Sequence, residues 1–235
     1  MHRPRPITAA SVELGVLLAL AGGFQDAYSF LALGGVFANA QTGNVVLLGV
    51  EAARQHWAAA LRHVPALLAF GVGVMVAETL RRPRVSAVLR WPARAALVLE
   101  IVVLGVVGLL PGGVPASVSV VLIAFTASVQ VTTFRTLIDW PYNTAMVTGN
   151  LRTAAQAAYQ AIADHDPEAT RKARSFAIII SGFTAGALVG GWFTLRVGRH
   201  AIWISAGVLI AALCLFVLDE HHSAWRDRLR RGRRE

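Results

Sequence analysis

Thr42-Gly43-Asn44 returns 106 residues later as Thr148-Gly149-Asn150, in matching places of the two halves of an almost wholly apolar chain. The same offset of 106 carries the apolar runs of the first half onto those of the second: 11–33 onto 117–139, 64–80 onto 170–186, and 94–110 onto 200–216. Few identities survive outside the motif, so what repeats is the hydropathy. That is the mark of a duplicated membrane protein.

Composition points the same way. The 235 residues are 55% hydrophobic and 15% charged, with a mean hydropathy of +0.56, which leaves too little polar surface to coat a soluble globule. About 20 apolar residues cross a hydrocarbon layer of roughly 30 Å. The stretches 11–35, 62–80, 115–137, 174–195 and 200–218 reach or approach that length, and 94–110 makes a shorter sixth. The polar stretches between them are too short for a soluble domain, so the reading is one membrane domain: repeat A over 11–111, repeat B over 117–217, and a basic tail over 219–235.

The net charge of +9 is concentrated beside the spans. Arg81, Arg82, Arg84, Arg90 and Arg94 fill one loop, and Arg226, Arg228, Arg230, Arg231, Arg233 and Arg234 fill the tail. Basic clusters next to apolar spans are the positive-inside signal rather than a nucleic-acid footprint, so the expected partner is the lipid bilayer and not nucleic acid. Cys214, the single cysteine, excludes an intrachain disulfide and a multi-cysteine metal site. The seven histidines form no zinc-hydrolase pair, and no Walker, Rossmann or nucleophile-elbow pattern is present, so neither metal, cofactor nor enzymatic activity is expected. Arg3, Arg5 and Leu14–Leu20 imitate a signal peptide. Residues 11–33 nevertheless match an interior span of the second half, so the expectation is that they are retained.

Each half reads as a span, a short odd segment (36–56 or 141–162), and two more spans. Were both odd segments to cross, the two most basic regions would fall on opposite faces, against the positive-inside rule. If each enters and leaves by one face, six spans remain, and both termini, the 81–94 loop and the Arg171, Lys172, Arg174 cluster are cytoplasmic. Arg196 and Arg199 are then the misfit, outside. Three spans per half is odd, so the second half is inverted relative to the first. The expected fold is all-α: an inverted repeat of two three-span bundles, each with one short re-entrant or broken helical segment.

Within the odd segments, Val45–Arg54 and Leu151–Ala163 follow the motif as helical runs, and Thr and Asn are residues that cap helix starts. Two such starts turned toward a common centre would favour an anion or a hydrogen-bonding neutral solute; a plain turn and cap is the alternative. Charged groups inside spans are functional candidates. Asp26 lies roughly 22 Å from the inner boundary at about 1.5 Å per residue, beside Gln25 and after Gly22-Gly23, which could break the helix. Arg135 falls at the inner rim, with Asp139 one turn on as a local partner. Arg152 opposes a helix dipole and calls for an anionic partner or a shallower segment, and Gln156 and Gln160 continue its polar face. Glu13 and Glu78 read as rim residues, with Glu78 pairing Arg81 or Arg82. Glu100 is a secondary proton-site candidate. Gly182, Gly186 and Gly190 make a small-residue stripe for close helix packing, within the chain or across a homodimer.

Gly23-Phe24-Gln25-Asp26-Ala27-Tyr28-Ser29-Phe30-Leu31, then Gly34-Gly35-Val36-Phe37-Ala38-Asn39-Ala40-Gln41-Thr42-Gly43-Asn44, resembles the opening signature of the YoaK family of bacterial integral-membrane proteins. Gln130 and Arg135 ahead of the second Thr-Gly-Asn continue the resemblance, which runs from Ser11 to Leu218. The chain departs from the family at Gln130-Val131-Thr132, where the pattern has Gln-Asn-Ala. The resemblance implies a bacterial inner membrane and no settled activity. The expected function is therefore read from the residues: a secondary transporter or facilitator of a small polar or anionic solute. Its candidate binding residues are Gln25, Asp26, Asn39, Thr42, Gly43, Asn44, Gln130, Arg135, Asn143, Thr148, Gly149, Asn150 and Arg152. A non-transporting membrane scaffold and a passive channel for a neutral solute stand as alternatives.

Overall fold

The computed structural model describes residues 10–82 and 91–231, with side chains described as far as Leu218. Arg3, Arg5, Arg84, Arg90 and the side chains of the tail arginines lie outside the described residues. The elements are α1 (Val12–Ala32), α2 (Gln41–Ala53), α3 (Trp57–Leu61), α4 (Val64–Leu80), α5 (Pro92–Leu109), α6 (Ala116–Thr133), a two-stranded ribbon of β1 (Thr136–Leu137) and β2 (Trp140–Pro141), α7 (Val147–Ala163), α8 (Pro167–Val197), a 3₁₀ turn (Gly198–Ala201) and α9 (Ile202–Arg231).

Among the described residues five stretches are long and apolar enough to cross a membrane: Val12–Ala32, Trp57–Leu80, Pro92–Leu109, Ala116–Thr133 and Pro167–Leu218. The fifth, at 52 residues, far exceeds the roughly 20 that one crossing needs. It doubles back at Gly198, whose φ of +65° only glycine adopts without strain. Large apolar side chains point away from the protein on these helices, among them Leu109 at 71%, Leu188 at 74% and Leu195 at 76% exposed. A soluble protein does not leave such rows to water, whereas lipid accepts them. The chain is thus an all-α polytopic membrane protein.

Local signals set the helix ends. Ser11 caps α1 by accepting from Leu14 N at 3.4 Å, and Gly34 and Gly35, at φ +82° and +77°, turn the chain after it. Asp166 caps α8 through Glu168 N at 2.8 Å, with Pro167 at the first helical position.

The most extensive helix pair is α1 with α8, and it is parallel. Gly182 meets Val16, Gly186 meets Leu20 and Gly190 meets Phe24, so both chains rise together. The glycine stripe is therefore used inside the chain. Gly23 belongs to the same contact: α1 runs through Gly22-Gly23 unbroken, and a Cβ at Gly23 would overlap the Phe183 carbonyl oxygen. The expected helix break is replaced by close packing. The next pair, α4 with α6, is also parallel: Gly73 abuts Phe125 and Ser128, and further along Glu78 reaches Arg135. By contrast α9 runs antiparallel to α5, with Trp203 Nε1 donating to Gly105 O at 3.2 Å and Arg199 to Leu110 O at 3.0 Å. One apolar core joins α1, α4, α5, α6 and α9, and a smaller cluster joins α1 and α8 to Leu137, Trp140 and Tyr142 of the ribbon region.

Candidate functional site: a cavity between two uncapped helix starts

Both Thr-Gly-Asn motifs lie inside the first turn of a helix rather than ahead of it. The residues preceding these helices, Ala40 and Met146, offer no side-chain cap, and the first N–H of α2, that of Gln41, donates to Asn39 O at 2.8 Å instead. Both helices begin four residues earlier than Val45 and Leu151, the expected starts. The reason lies in the asparagines. Asn44 does not cap its helix but reaches back to the loop: its Oδ1 accepts from Phe37 N at 3.0 Å and its Nδ2 donates to Phe37 O at 2.7 Å. Asn150 does the same to Asn143, accepting from its N at 3.3 Å and donating to its O at 2.6 Å. In each half the asparagine clasps the residue seven positions before it. Asn44 is further held by Gln41 Oε1 at 2.9 Å and His63 Nδ1 at 3.2 Å.

These clasps hold the two loops against α1 and α6. Asp26, on α1 and only 5% exposed, accepts at Oδ1 from Asn39 N at 2.7 Å and Ala40 N at 3.3 Å. Ser29 completes the support by accepting from Ala38 N at 3.0 Å. In the second half the N–H groups of Ala145 and Met146 are held at 2.9 and 3.0 Å by Asn143 Oδ1. The acceptor is therefore a carboxylate in one half and a neutral amide in the other.

A cavity of about 960 Å³ opens between these loops. Thr42 and Gly43 from the start of α2 and Thr148 and Gly149 from the start of α7 both line it, with Asp26 and Asn39. The remaining wall is largely apolar, with Phe30, Phe37, Phe70 and Phe183. Asp26 Oδ2 is buried and has no hydrogen-bond partner. Two α-helix N-termini and the residue Asp26 on a largely apolar cavity make an arrangement suited to binding a small polar molecule.

Behind the cavity lies a second polar layer that sequence reasoning only half saw. Gln25 donates from Nε2 to Glu100 Oε1 at 2.7 Å and approaches Ser205 Oγ at 3.4 Å. Asn39 Nδ2 touches Gln25 Oε1 at 3.4 Å and Gly22 O at 3.3 Å. From the other half Gln130 accepts from Thr144 Oγ1 at 3.2 Å, and neither Glu100 Oε2 nor Gln130 Nε2 completes a hydrogen bond. Glu100, 1% exposed, thus meets Gln25 through one carboxyl oxygen and leaves the other unpaired. A charged residue in the middle of α5 was the available signal; Ser205, ordinary in any apolar span, and Thr144, ordinary in any loop, gave none.

Of the candidate binding residues, the structure brings Asp26, Asn39, Thr42, Gly43, Thr148 and Gly149 onto the cavity and places Gln25 and Gln130 in the layer behind. Asn44, Asn143 and Asn150 build the loops. Arg135 and Arg152 do not reach the cavity. Arg135 is exposed and pairs with Glu78 at 3.1 Å instead of Asp139, and Glu78 also lies 3.6 Å from Arg81. Arg152 is exposed on α7. Among the described residues no group of three or more His, Cys, Asp or Glu side chains is arranged to hold a metal ion.

Comparison with known proteins agrees with the membrane-protein architecture. The chain is 31% identical over 140 residues to the UPF0700 transmembrane protein YoaK of Bacillus subtilis (strain 168), a match covering 57% of this chain and 61% of that protein. No solved structure matches. The family model described as "Protein of unknown function (DUF1275)" matches residues 14–215, from the first turn of α1 deep into α9, and the chain belongs to that family of membrane proteins.

Proposed function

We propose that this protein is a secondary transporter or facilitator of a small polar or anionic solute, bound in the cavity between the α2 and α7 starts, with Asp26 as its proton or substrate site. One observation carries the reading: residues of both Thr-Gly-Asn helix starts line one cavity together with Asp26. Discontinuous helices whose N-termini point at a central site are how many transporters hold a solute within the bilayer.

The reading includes an inverted repeat, with 36–56 and 141–162 as re-entrant segments. Its support is local and reciprocal. The Asn44–Phe37 and Asn150–Asn143 clasps are related by the offset of 106, as are the N–H pairs of Asn39, Ala40 and Ala145, Met146. The first helix of each half, α1 or α6, packs in parallel on the second long helix of the other, α8 or α4. Rocking one such pair against the other would expose the cavity alternately to each face. The bilayer is the bacterial inner membrane in this reading, with both termini cytoplasmic. No enzymatic role, cofactor or nucleic-acid partner is proposed.

A scaffold role is favoured by the self-pairing of Asn44 and Asn150, but it leaves Asp26 Oδ2 without a task. The test is uptake by proteoliposomes holding the full chain, using labelled amino acids, carboxylates and polyols with and without an imposed proton gradient. The expected result is gradient-dependent uptake that Asp26→Asn abolishes while the helical circular dichroism is unchanged. Uptake indifferent to the gradient would indicate a passive channel, and uptake unaffected by Asp26→Asn would remove Asp26 from the mechanism.

A further inference from the structure

The Asn44 clasp has a neighbour outside the solute cavity. Asn44 Oδ1 accepts from Phe37 N and Nδ2 donates to Phe37 O, so the orientation of this amide is fixed. His63 Nδ1, 3.2 Å from the same Oδ1, is therefore the ring nitrogen that carries the proton, and in the neutral ring Nε2 carries the lone pair. His63 is only 3% exposed. Its Nε2 nevertheless is not among the side-chain atoms buried without a partner, so that atom keeps accessible surface. The space that His63 lines is a separate pocket of about 350 Å³, shared with Arg62, Glu51, Gly34, Phe30 and Leu47.

Two charged side chains line this pocket. Both oxygens of Glu51 are already engaged, Oε1 by Arg54 Nη1 at 3.1 Å and Oε2 by His56 Nδ1 at 3.0 Å. Arg62 donates from Nη1 to Gly34 O at 3.1 Å, which anchors the guanidinium at the pocket and leaves the rest of its planar fork of donors for what enters. The pocket thus sets a cation with spare donors beside a neutral acceptor at Nε2. A fully ionised tetrahedral anion such as sulfate satisfies the first and turns a lone pair on the second. Hydrogen phosphate or a phosphomonoester satisfies both, with charged oxygens for Arg62 and an O–H for Nε2. Phe30 and Leu47 suit the organic part of an ester.

We propose that this second pocket binds a phosphate group of the monoester type, its oxygens on Arg62 and its hydroxyl on His63 Nε2. Phe30 lines both cavities and His63 holds the Asn44 clasp, so occupation here braces a wall of the solute cavity. Trp57 and Leu61, exposed on the preceding short helix, are side chains that lipid would cover, so the phosphate can come from solution or from a headgroup. The site goes beyond the transport reading and stands if that reading fails.

The test counts radiolabelled inorganic phosphate bound to the purified full chain in phosphate-free detergent solution, competed by unlabelled phosphate, glycerol 3-phosphate or sulfate. Saturable binding is expected, with glycerol 3-phosphate competing and sulfate weaker by about tenfold or more. Arg62→Gln should lower phosphate affinity by about tenfold or more. His63→Asn keeps an N–H for Asn44 in the place of Nδ1 and removes Nε2, so it should bring phosphate down to the level of sulfate with the unfolding midpoint unchanged. Should His63→Asn fail to fold, Arg62→Gln, on an exposed side chain, and the phosphate-to-sulfate ratio of the parent decide. A parallel arm places the chain in phosphatidylcholine nanodiscs with and without phosphatidate. Displacement of the label by phosphatidate supports the site with a lipid source, and no displacement supports it with a dissolved one. Absence of saturable phosphate binding, equal competition by sulfate, or unchanged binding in Arg62→Gln overturns the proposal.

Discussion

Replacing the stripe glycines one at a time by alanine gives a graded forecast for the α1–α8 interface. At Gly186 a Cβ would overlap the Leu20 carbonyl oxygen, and at Gly190 it would lie 2.7 Å from Phe24 Cα; at Gly182 its nearest neighbour is Val16 Cγ1 at 3.2 Å. The first two obstacles are backbone under 3 Å away, which can yield only by moving a helix, whereas at Gly182 the Val16 side chain and its carbonyl oxygen, at 3.3 Å, are only slightly tight. Overpacking of this kind costs about 1–3 kcal/mol, against a gain of about 1 kcal/mol from the better helix propensity of alanine. The expected net effects are a loss of about 2 kcal/mol at Gly186, about 1 kcal/mol at Gly190, and near zero at Gly182. Gly207, with no atom within 4 Å of its added Cβ, is the control, and alanine there should be neutral or stabilising by up to about 1 kcal/mol. Unfolding by increasing SDS fraction in mixed micelles, followed by circular dichroism, measures all four. If Gly186→Ala proves as stable as Gly182→Ala, the parallel register of α1 on α8 is wrong. Equal loss at Gly207 would mean the measurement does not report the interface.

The loop clasps give a second forecast. Asn150→Ala strands the N–H and C=O of Asn143 and should cost about 2–3 kcal/mol. Asn44→Ala should cost more, since it also releases Gln41 and His63; the same unfolding assay ranks them, and the reverse order would contradict the network. Glu100→Ala should lose about 3 kcal/mol by leaving Gln25 short of its acceptor beside a new void. Glu100→Gln, which keeps an oxygen for Gln25, should stay within about 1 kcal/mol of the parent, and a loss equal to that of alanine would show that the charge itself is needed. At the end of α2, the hydrogen bond from His56 and the nearby Arg54 hold the Glu51 carboxyl below its ordinary range. Its contribution is present above the carboxylate's unfolded value and is lost as pH falls through the lowered folded value. Carboxyl ¹³C shifts, assigned with Glu51→Gln, should show the titration below that of a free glutamate, and an ordinary midpoint would dismiss the pairing.

Hydropathy alone located every apolar helix, because a bilayer demands long uninterrupted runs and tolerates little else. The reversal at Gly198 was legible too, since Arg196, Arg199 and His200 interrupt the apolar run between 174–195 and 200–218. The site was legible where a motif recurred. Asp26 stood out as a charge far inside a span, and the repeated Thr-Gly-Asn marked the two helix starts that share its cavity. Their mechanics were not legible, because a capping preference describes a side chain bonding forward into its own helix, whereas Asn44 and Asn150 bond backward to a loop. Arg135 was assigned to Asp139 on helical spacing, but α6 ends at Thr133, so that spacing does not exist and Glu78 on α4 is nearer. Glu100 was visible as a charge, yet its partner Gln25 lies 75 residues away in sequence, beyond the reach of any local rule. The ribbon at 136–141 is two residues per strand, too short for alternation to register.

Cross-linking most directly tests whether the two helix starts share one cavity. On a Cys214→Ser background in native membranes, Thr42→Cys paired with Thr148→Cys should be joined by a short bifunctional maleimide. Thr42→Cys paired with Ala163→Cys, at the far end of α7 and about 1.5 Å per residue further along, should not. A link between 42 and 163 with none between 42 and 148 would mean that the two helix starts do not meet, and the solute site proposed between them would not exist.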